Sequence, residues 1–318
     1  MIGIKEAAGR LRAAERVLIL SHQFPDGDTL GCASALCRGL RQMDKRAMIR
    51  CSDTIGPKYA FLFRDLKDDE FEPDLVVSVD IADEKLLGEP LQSKWGGRID
   101  LCIDHHPSNT LYAAETCLNP KAAATCEIIY DILRELDVTI GPDIAAPLYT
   151  GITTDTGCFK YINVTPRTYR IAADLVETGI DAPTINREMF DTKSRARLEM
   201  ERRVLESIEY DYGGKVAVIV ISQKMIEESG AKQDDLDGLA TIPRGIEGVL
   251  VGVTLREKED GAWKVSLRAR DPANASEICE KFGGGGHKGA AGCTLKSPLS
   301  EAKMQMLHAV REYLENRL

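Results

Sequence analysis

RVLILSHQFPDGD (16–28) is the stretch from which the rest of the chain can be read. An apolar run, Val17–Leu20, gives way at once to Ser21, His22 and a Pro-Asp-Gly-Asp sequence. A short apolar run that ends in polar residues reads as a buried strand. From Thr29 to Met43, the residues Leu30, Ala33, Leu36, Cys37, Leu40 and Met43 then recur at helical spacing. A strand feeding a helix, with acids and an imidazole in the connection, opens a strand–helix repeat.

The pattern continues. AMIRCS (47–52), LVVSVDI (75–81) and RIDLCIDHH (98–106) read as strands, and Ala123–Leu136 and Asp143–Thr154 as helices. Strands alternating with helices predict an α/β fold, a parallel sheet with helices on both faces. Further on, KVAVIVIS (215–222), GVLVGVTLRE (248–257) and WKVSLRAR (263–270) open a second pattern of strands, closed by a helix over Glu301–Leu318. The charge-rich stretch from Asn186 to Tyr210 has no Gly or Pro and predicts one long helix. The expected organisation is a larger domain over 1–186, a helical linker over 187–212 and a smaller α/β domain over 213–318.

Composition bounds the function. With 41 Lys and Arg against 50 Asp and Glu, the net charge of the 318 residues is −9. An acidic chain has no general field for gripping a long polyanion, so any nucleic-acid substrate should be short and held by a local basic site. No apolar stretch approaches the ~20 residues needed to span a bilayer. Val17–Leu20 is too short for a signal peptide and follows four basic residues and two Glu. The nine Cys form no CxxC pair. Reduced thiols in a cytoplasmic protein are the expectation.

Chemistry is concentrated where the strands end. The first strand leads to His22, Asp26 and Asp28, the third to Asp80, and the fourth to Asp104, His105 and His106. In open α/β sheets, ligands bind outside the carboxyl ends of the strands. Asp155 joins this set from the end of a helical segment. Each piece alone has a plainer reading: PDGD as a turn, DHHP as a solvated strand end, Asp80 as a helix cap. Their joint occurrence at strand ends outweighs those readings. Carboxylates packed this closely repel one another, and divalent cations offset that repulsion. Mixed carboxylate and imidazole donors suit Mn²⁺, Fe²⁺, Co²⁺ or Zn²⁺ better than Ca²⁺. Three of the five His lie in this cluster.

KFGGGGHKGAAGC (281–293) is the second feature. As a linker it would be misplaced, between a helix and a strand of a folded half. Glycine backbone at Gly285 and Gly286 can approach an anion closely, with His287 and Lys288 adding charge. Arg268 and Arg270 alternate on WKVSLRAR and share one face.

HQFPDGD (22–28), VSVDIAD (77–83), DHHP (104–107) and GITTDTG (151–157), in this order, resemble the four motifs of the DHH phosphoesterase superfamily, and GGGGHKGAAG (283–292) resembles the signature of its DHHA1 domain. The two-domain plan is similar to the bifunctional oligoribonuclease and PAP phosphatase group. That resemblance implies hydrolysis of short RNA to mononucleotides and removal of the 3′-phosphate of adenosine 3′,5′-bisphosphate. It implies two divalent ions, Mn²⁺ foremost. His22, Asp26 and Asp80 would hold one ion; Asp28, Asp80, His105 and Asp155 would hold the other. His106 would face the scissile phosphate, and Asp104 would support the histidines. Arg268, His287, Lys288, Gly285 and Gly286 would hold substrate. Gln23 and Phe24 depart from the smaller or polar residues frequent at their positions. A cyclic- or linear-dinucleotide phosphodiesterase shares these motifs and is the alternative. A pyrophosphatase, a long-strand exonuclease and a non-enzymatic sensor fit less well. Short single-stranded RNA or a nucleotide is the expected partner, with monomer and homodimer both open.

Overall fold

The computed structural model describes residues 1–317; Leu318, the last residue of the expected closing helix, lies outside the described residues. The chain forms two compact units, one over Met1–Thr192 and one from Lys193 onward.

The first unit is built on five parallel strands: β1 (Arg16–Leu20), β2 (Arg46–Arg50), β3 (Leu75–Val79), β4 (Leu101–Asp104) and β5 (Glu115–Leu118), in the order β2-β1-β3-β4-β5. Its helices are α1 (Ile4–Ala13), α2 (Gly27–Gln42), α3 (Leu91–Trp95), α4 (Thr125–Glu135), α5 (Pro142–Asp155), α6 (Pro166–Glu177) and α7 (Ala182–Asn186). Period-2 alternation divides the strand side chains between two cores. Val17, Ile19, Val77, Val79, Leu101 and Ile103 pack with residues of α1, α2 and α4. Leu18, Leu20, Met48 and Val76 pack instead with Leu87, Leu91 and Trp95. Helical segments therefore cover both faces, as an all-parallel sheet requires. The order in which strands are added to the sheet reverses between β1 and β3, the place where such sheets bind ligands.

Helix α5 lies tightly against α2. A methyl group on Gly31 would sit 2.4 Å from the Pro147 carbonyl oxygen, and one on Gly27 would sit 2.3 Å from Thr154 Oγ1. Glycine in α2 thus lets the last turn of α5 reach the first turn of α2, carrying Asp155 to the strand ends.

The second unit has six strands: β6 (Glu209–Asp211), β7 (Val216–Ile221), β8 (Val251–Glu257), β9 (Trp263–Ala269), β10 (Gly285–His287) and β11 (Ala290–Leu295). Their order is β10-β11-β9-β8-β7-β6, antiparallel except for β7 with β8. Helices α8 (Arg195–Glu206), α9 (Gln223–Ser229), α10 (Gln233–Leu236), α11 (Ala275–Glu280) and α12 (Leu299–Glu315) complete it. Val251, Val253, Val265 and Leu267 face α11 and α12. Ile219 and Ile221 face Met200 and Val204 of α8.

Two expectations differ. The stretch expected as one helix from Asn186 to Tyr210 is a π-helical turn over Arg187–Asp191, a break, and α8. The break falls where the Ser194 hydroxyl caps α8 by accepting from Arg197 N–H. β5 and α6 were not anticipated: β5 is only four residues long and carries no alternating pattern of its own.

Candidate metal centre

The donors rise from the backbone in order. Asp26 is the N-cap of α2, its carboxylate accepting from Asp28 N–H at 3.0 Å and Thr29 N–H at 3.1 Å. This capping explains why the acids of PDGD stand at a helix start. Asp80 follows β3 with φ of 61°, a left-handed backbone that Asp tolerates better than most residues. Asp104 ends β4, and Asp155 ends α5.

Each imidazole is pinned through Nδ1. His22 Nδ1 lies 2.7 Å from the Gln23 carbonyl oxygen, and His105 Nδ1 lies 3.1 Å from that of Ala122. A carbonyl only accepts, so Nδ1 carries the proton and Nε2 presents its lone pair. His22 Nε2 faces Asp26 at 3.7 Å and Asp80 at 3.8 Å. His105 Nε2 faces Asp155 at 3.2 Å and Asp80 at 3.7 Å. The His105–Asp155 gap falls within the roughly 3–3.5 Å between two atoms that share one cation at about 2.1 Å, and the other three exceed it by a few tenths of an ångström.

The donor atoms gather into overlapping groups, each within 4.8 Å: His22, Asp26 and Asp80; Asp28, His105 and Asp155; and Asp80, His105 and His106. The structure thus brings together all six residues expected as ligands. Asp80 is the hub, since its carboxylate faces His22, His105 and His106. Asp104 does not join as a donor. It is fully buried and accepts from His105 N–H and His106 Nδ1 at 2.8 Å each and from Asn109 Nδ2 at 2.6 Å.

Electrostatics without a cation are unfavourable. Burial pushes Asp28 well above the ordinary carboxylate range. Burial, and then the negative charge of Asp26, raises Asp80. Burial, and then Asp80 and Asp26, pushes Asp155 up to about 8. In Asp104, burial opposes ionisation, but the bonds from His106 and Asn109 outweigh it and hold the pKa low. The Asp104 hydrogen bond raises His106 to about 9. Three crowded carboxylates that resist ionisation, beside two imidazoles whose Nδ1 atoms are engaged by carbonyl oxygens, fit a divalent-cation site.

Sequence patterns missed Thr125. Its backbone N–H donates to Asp28 Oδ2 at 2.6 Å and its hydroxyl to Asp80 Oδ1 at 2.7 Å, while Cys126 N–H donates to Asp28 Oδ1 at 3.0 Å. The N-terminus of α4 thereby holds the most buried donor carboxylate, and one residue links Asp28 in the first turn of α2 to Asp80 after β3. Asn109 was missed too. Both act through contacts 5 to 97 residues apart in sequence, which no local pattern shows.

The residues expected to bind substrate lie in the second unit. Arg268 is on β9, half-buried, and His287 is on β10, exposed. Their strands flank β11, where Ala290 pairs with both. Directly paired residues share a face, so Arg268 and His287 share one row. Lys288 is exposed and pairs with Asp271 at 2.7 Å. Two of the glycines answer to packing. A methyl on Gly284 would sit 2.2 Å from the Gly292 carbonyl oxygen, and one on Gly286 2.6 Å from that of Ala290. Gly285 meets no such neighbour.

Comparison with known proteins adds to this geometry. The chain matches the DHH family, N-terminal domain, over residues 16–152 and the DHHA1 domain over residues 213–316. It is 34% identical to the bifunctional oligoribonuclease and PAP phosphatase NrnA of Thermus thermophilus, across 96% of this chain and 92% of that protein. It is 23% identical to the cyclic-di-AMP phosphodiesterase GdpP of Geobacillus thermodenitrificans, across 95% of this chain but 48% of that protein. In fold it resembles an exopolyphosphatase-related protein from Bacteroides fragilis, with TM-score 0.86, 24% identity and coverage of 98% and 96% of the two chains.

Proposed function

The chain belongs to the DHH phosphoesterase family and carries its DHHA1 domain, and from that premise we propose that it hydrolyses short oligoribonucleotides to mononucleotides and removes the 3′-phosphate of adenosine 3′,5′-bisphosphate. The observation that carries the chemistry is the chain of donor groups at the carboxyl ends of β1, β3 and β4, in which Asp80 links His22 and Asp26 to His105, and His105 in turn belongs with Asp28 and Asp155. The end-to-end match to NrnA supports the substrate class. The match to GdpP covers half of that protein at lower identity, so a cyclic-dinucleotide substrate has less support.

His22, Asp26 and Asp80 hold one divalent ion, and Asp28, His105 and Asp155, with Asp80 between the groups, hold a second. Mn²⁺ suits this mixture of imidazole and carboxylate. Such ions supply Lewis acidity, neutralising phosphate charge and lowering the pKa of a water. The remaining work belongs to side chains of the chain itself. Asp104 locks the His106 ring through Nδ1, which leaves Nε2 of this part-exposed imidazole to hydrogen-bond the phosphate or the departing oxygen. Thr125 and Cys126 fix Asp28 and Asp80 so that the carboxylates need no reorganisation. In the second unit, Arg268 and His287 receive a phosphate of the substrate. A cytoplasmic setting fits the end-to-end similarity to NrnA. Separately, no helix among the described residues is long and apolar enough to cross a membrane.

The test is one purified protein with Mn²⁺ given, side by side, an RNA ladder of about two to twenty nucleotides, adenosine 3′,5′-bisphosphate, a cyclic dinucleotide and pyrophosphate. Short RNA and the bisphosphate should be turned over fastest, chelation should abolish the activity and Mn²⁺ restore it. Asp80→Ala should be the most damaging single change. Activity in metal-free enzyme, or full activity of that variant, would sink the reading.

A further inference from the structure

The ladder that aligns His287, Ala290 and Arg268 continues one strand further. Arg268 on β9 pairs directly with Gly252 on β8. With strands ~4.8 Å apart, the row from His287 to Gly252 spans roughly 14 Å. At its far end stands a glycine for a specific reason. A methyl group there would lie 2.8 Å from the backbone nitrogen of Arg244 and 2.9 Å from Pro243 Cβ. The short 3₁₀ turn Pro243–Gly245 is therefore seated on the sheet at the one position of the row that has no side chain. It places the Arg244 backbone over the residue that pairs with Arg268, near enough for the Arg244 charge to act on the Arg268 guanidinium.

Two guanidinium groups close enough to affect each other's charge are normally accompanied by a carboxylate. Among the described residues neither Arg244 nor Arg268 has an ion pair, and the one hydrogen bond of the Arg268 side chain goes to the Leu267 carbonyl at 3.0 Å. The pKa of Arg268 is lowered, by burial first and by the Arg244 charge second. Several other arginines of the same unit do have a carboxylate, Arg197 with Glu201, Arg203 with Glu199 and Arg311 with Asp211, whereas Arg195, Arg256 and Arg270 form no ion pair among the described residues. A half-buried pair of like charges without a counter-ion is suited to a ligand that brings the negative charge.

We infer that Arg244 completes, with Arg268 and His287, a three-point site for a terminal phosphate monoester of the nucleotide substrate. The inference rests on the proposed function for the identity of the substrate. A monoester is a dianion with three free oxygens, enough for two guanidinium forks and an imidazole. An internal diester has a single charge and two free oxygens, and would leave one fork unanswered. The row therefore reads the end of a chain rather than its middle.

The experiment titrates AMP, and adenosine as control, into the full-length protein in the presence of chelator, which removes cation-held phosphate. Binding is read by calorimetry and by the NMR signal of the His287 ring. Wild type should bind AMP more tightly than adenosine and shift His287. Arg244→Ala should weaken AMP about 10- to 100-fold, the loss of one or two charge-assisted bonds, and adenosine far less. Arg244→Lys should recover part of the difference, since it restores charge but not the fork. Thermal melts of each variant establish that it is folded. Equal AMP affinity in wild type and Arg244→Ala, equal loss for AMP and adenosine, or no AMP preference in wild type would each overturn the inference. Failure of the wild type to hydrolyse RNA would instead count against the proposed function, and the titration remains readable in that case.

Discussion

At the scale of single residues, the cluster separates donors from supports. His22, His105 and the four Asp bring donor atoms within reach of one another, whereas Asp104 belongs to no such group and accepts from His105, His106 and Asn109. His106 sits between the two classes. Its Nδ1 belongs to Asp104 at 2.8 Å, and it stands 3.7 Å from Asp80. Such a residue should matter more to turnover than to cation binding. His106→Ala is expected to keep its metal content while its rate falls by on the order of 10²–10³, as when one preorganised donor is lost. Metal analysis beside single-turnover rates decides the matter; loss of a bound ion would make His106 a ligand. His22, Asp26, Asp28, Asp80, His105 and Asp104 were all legible as polar residues closing apolar strands. Asp155 was only weakly legible by spacing, because it reaches the site along a helix whose position depends on glycine contacts with α2.

Among the elements, α4 carries a role that its sequence does not announce. Its first two amides hold both oxygens of Asp28, as a helix N-terminus holds an anion. The Thr125 hydroxyl adds a bond to Asp80. Removing that hydroxyl while keeping its shape and the amide should loosen Asp80 and leave the helix intact. Thr125→Val is expected to weaken Mn²⁺ binding about 10- to 100-fold, in line with other partners of ligating groups. Thr125→Ser should recover most of the affinity. Calorimetric titration of Mn²⁺ into the three proteins is the check, with circular dichroism to show that α4 is retained; unchanged affinity in Thr125→Val would leave the hydroxyl without a role. The same scale explains the misread helix. Charge without Gly or Pro predicted continuity over 186–210, but a single Ser cap is enough to start a new helix at Arg195.

For the whole molecule the relevant quantity is charge. The chain carries −9 overall, so attraction for a polyanion must come from bound cations and from the small row at His287, Arg268 and Arg244. Such a row holds one or two phosphates. A long strand offers its further phosphates to an acidic surface and gains little from them. Two- to five-nucleotide RNAs should therefore be cleaved with higher kcat/KM than twenty-nucleotide RNAs. Arg268→Ala should lose roughly 1.5–3 kcal/mol on short substrates, the value of a charge-assisted hydrogen bond, with its metals in place. A length series for both proteins measures this. A flat or rising profile in the wild type would mean that the second unit does not select short substrates.

The sequence by itself determined the layers of the first unit and the residues that crowd its strand ends. Both are local properties: apolar runs bury, and the polar residues that terminate them stand at the sheet edge. It also determined the second unit's strands around Val216, Val251 and Trp263, and a glycine-rich signature near the chain's end. Tertiary structure alone decided which oxygen faces which nitrogen, that Thr125 links Asp28 of α2 to Asp80 after β3, and that the Arg244 backbone sits over Gly252. Those facts depend on where separate elements meet. The meeting points are set by close approaches at Gly27, Gly31 and Gly252, where the absence of a side chain lets another element in. A missing side chain leaves no pattern for sequence reading to find, and so these contacts became visible only once the chain was folded.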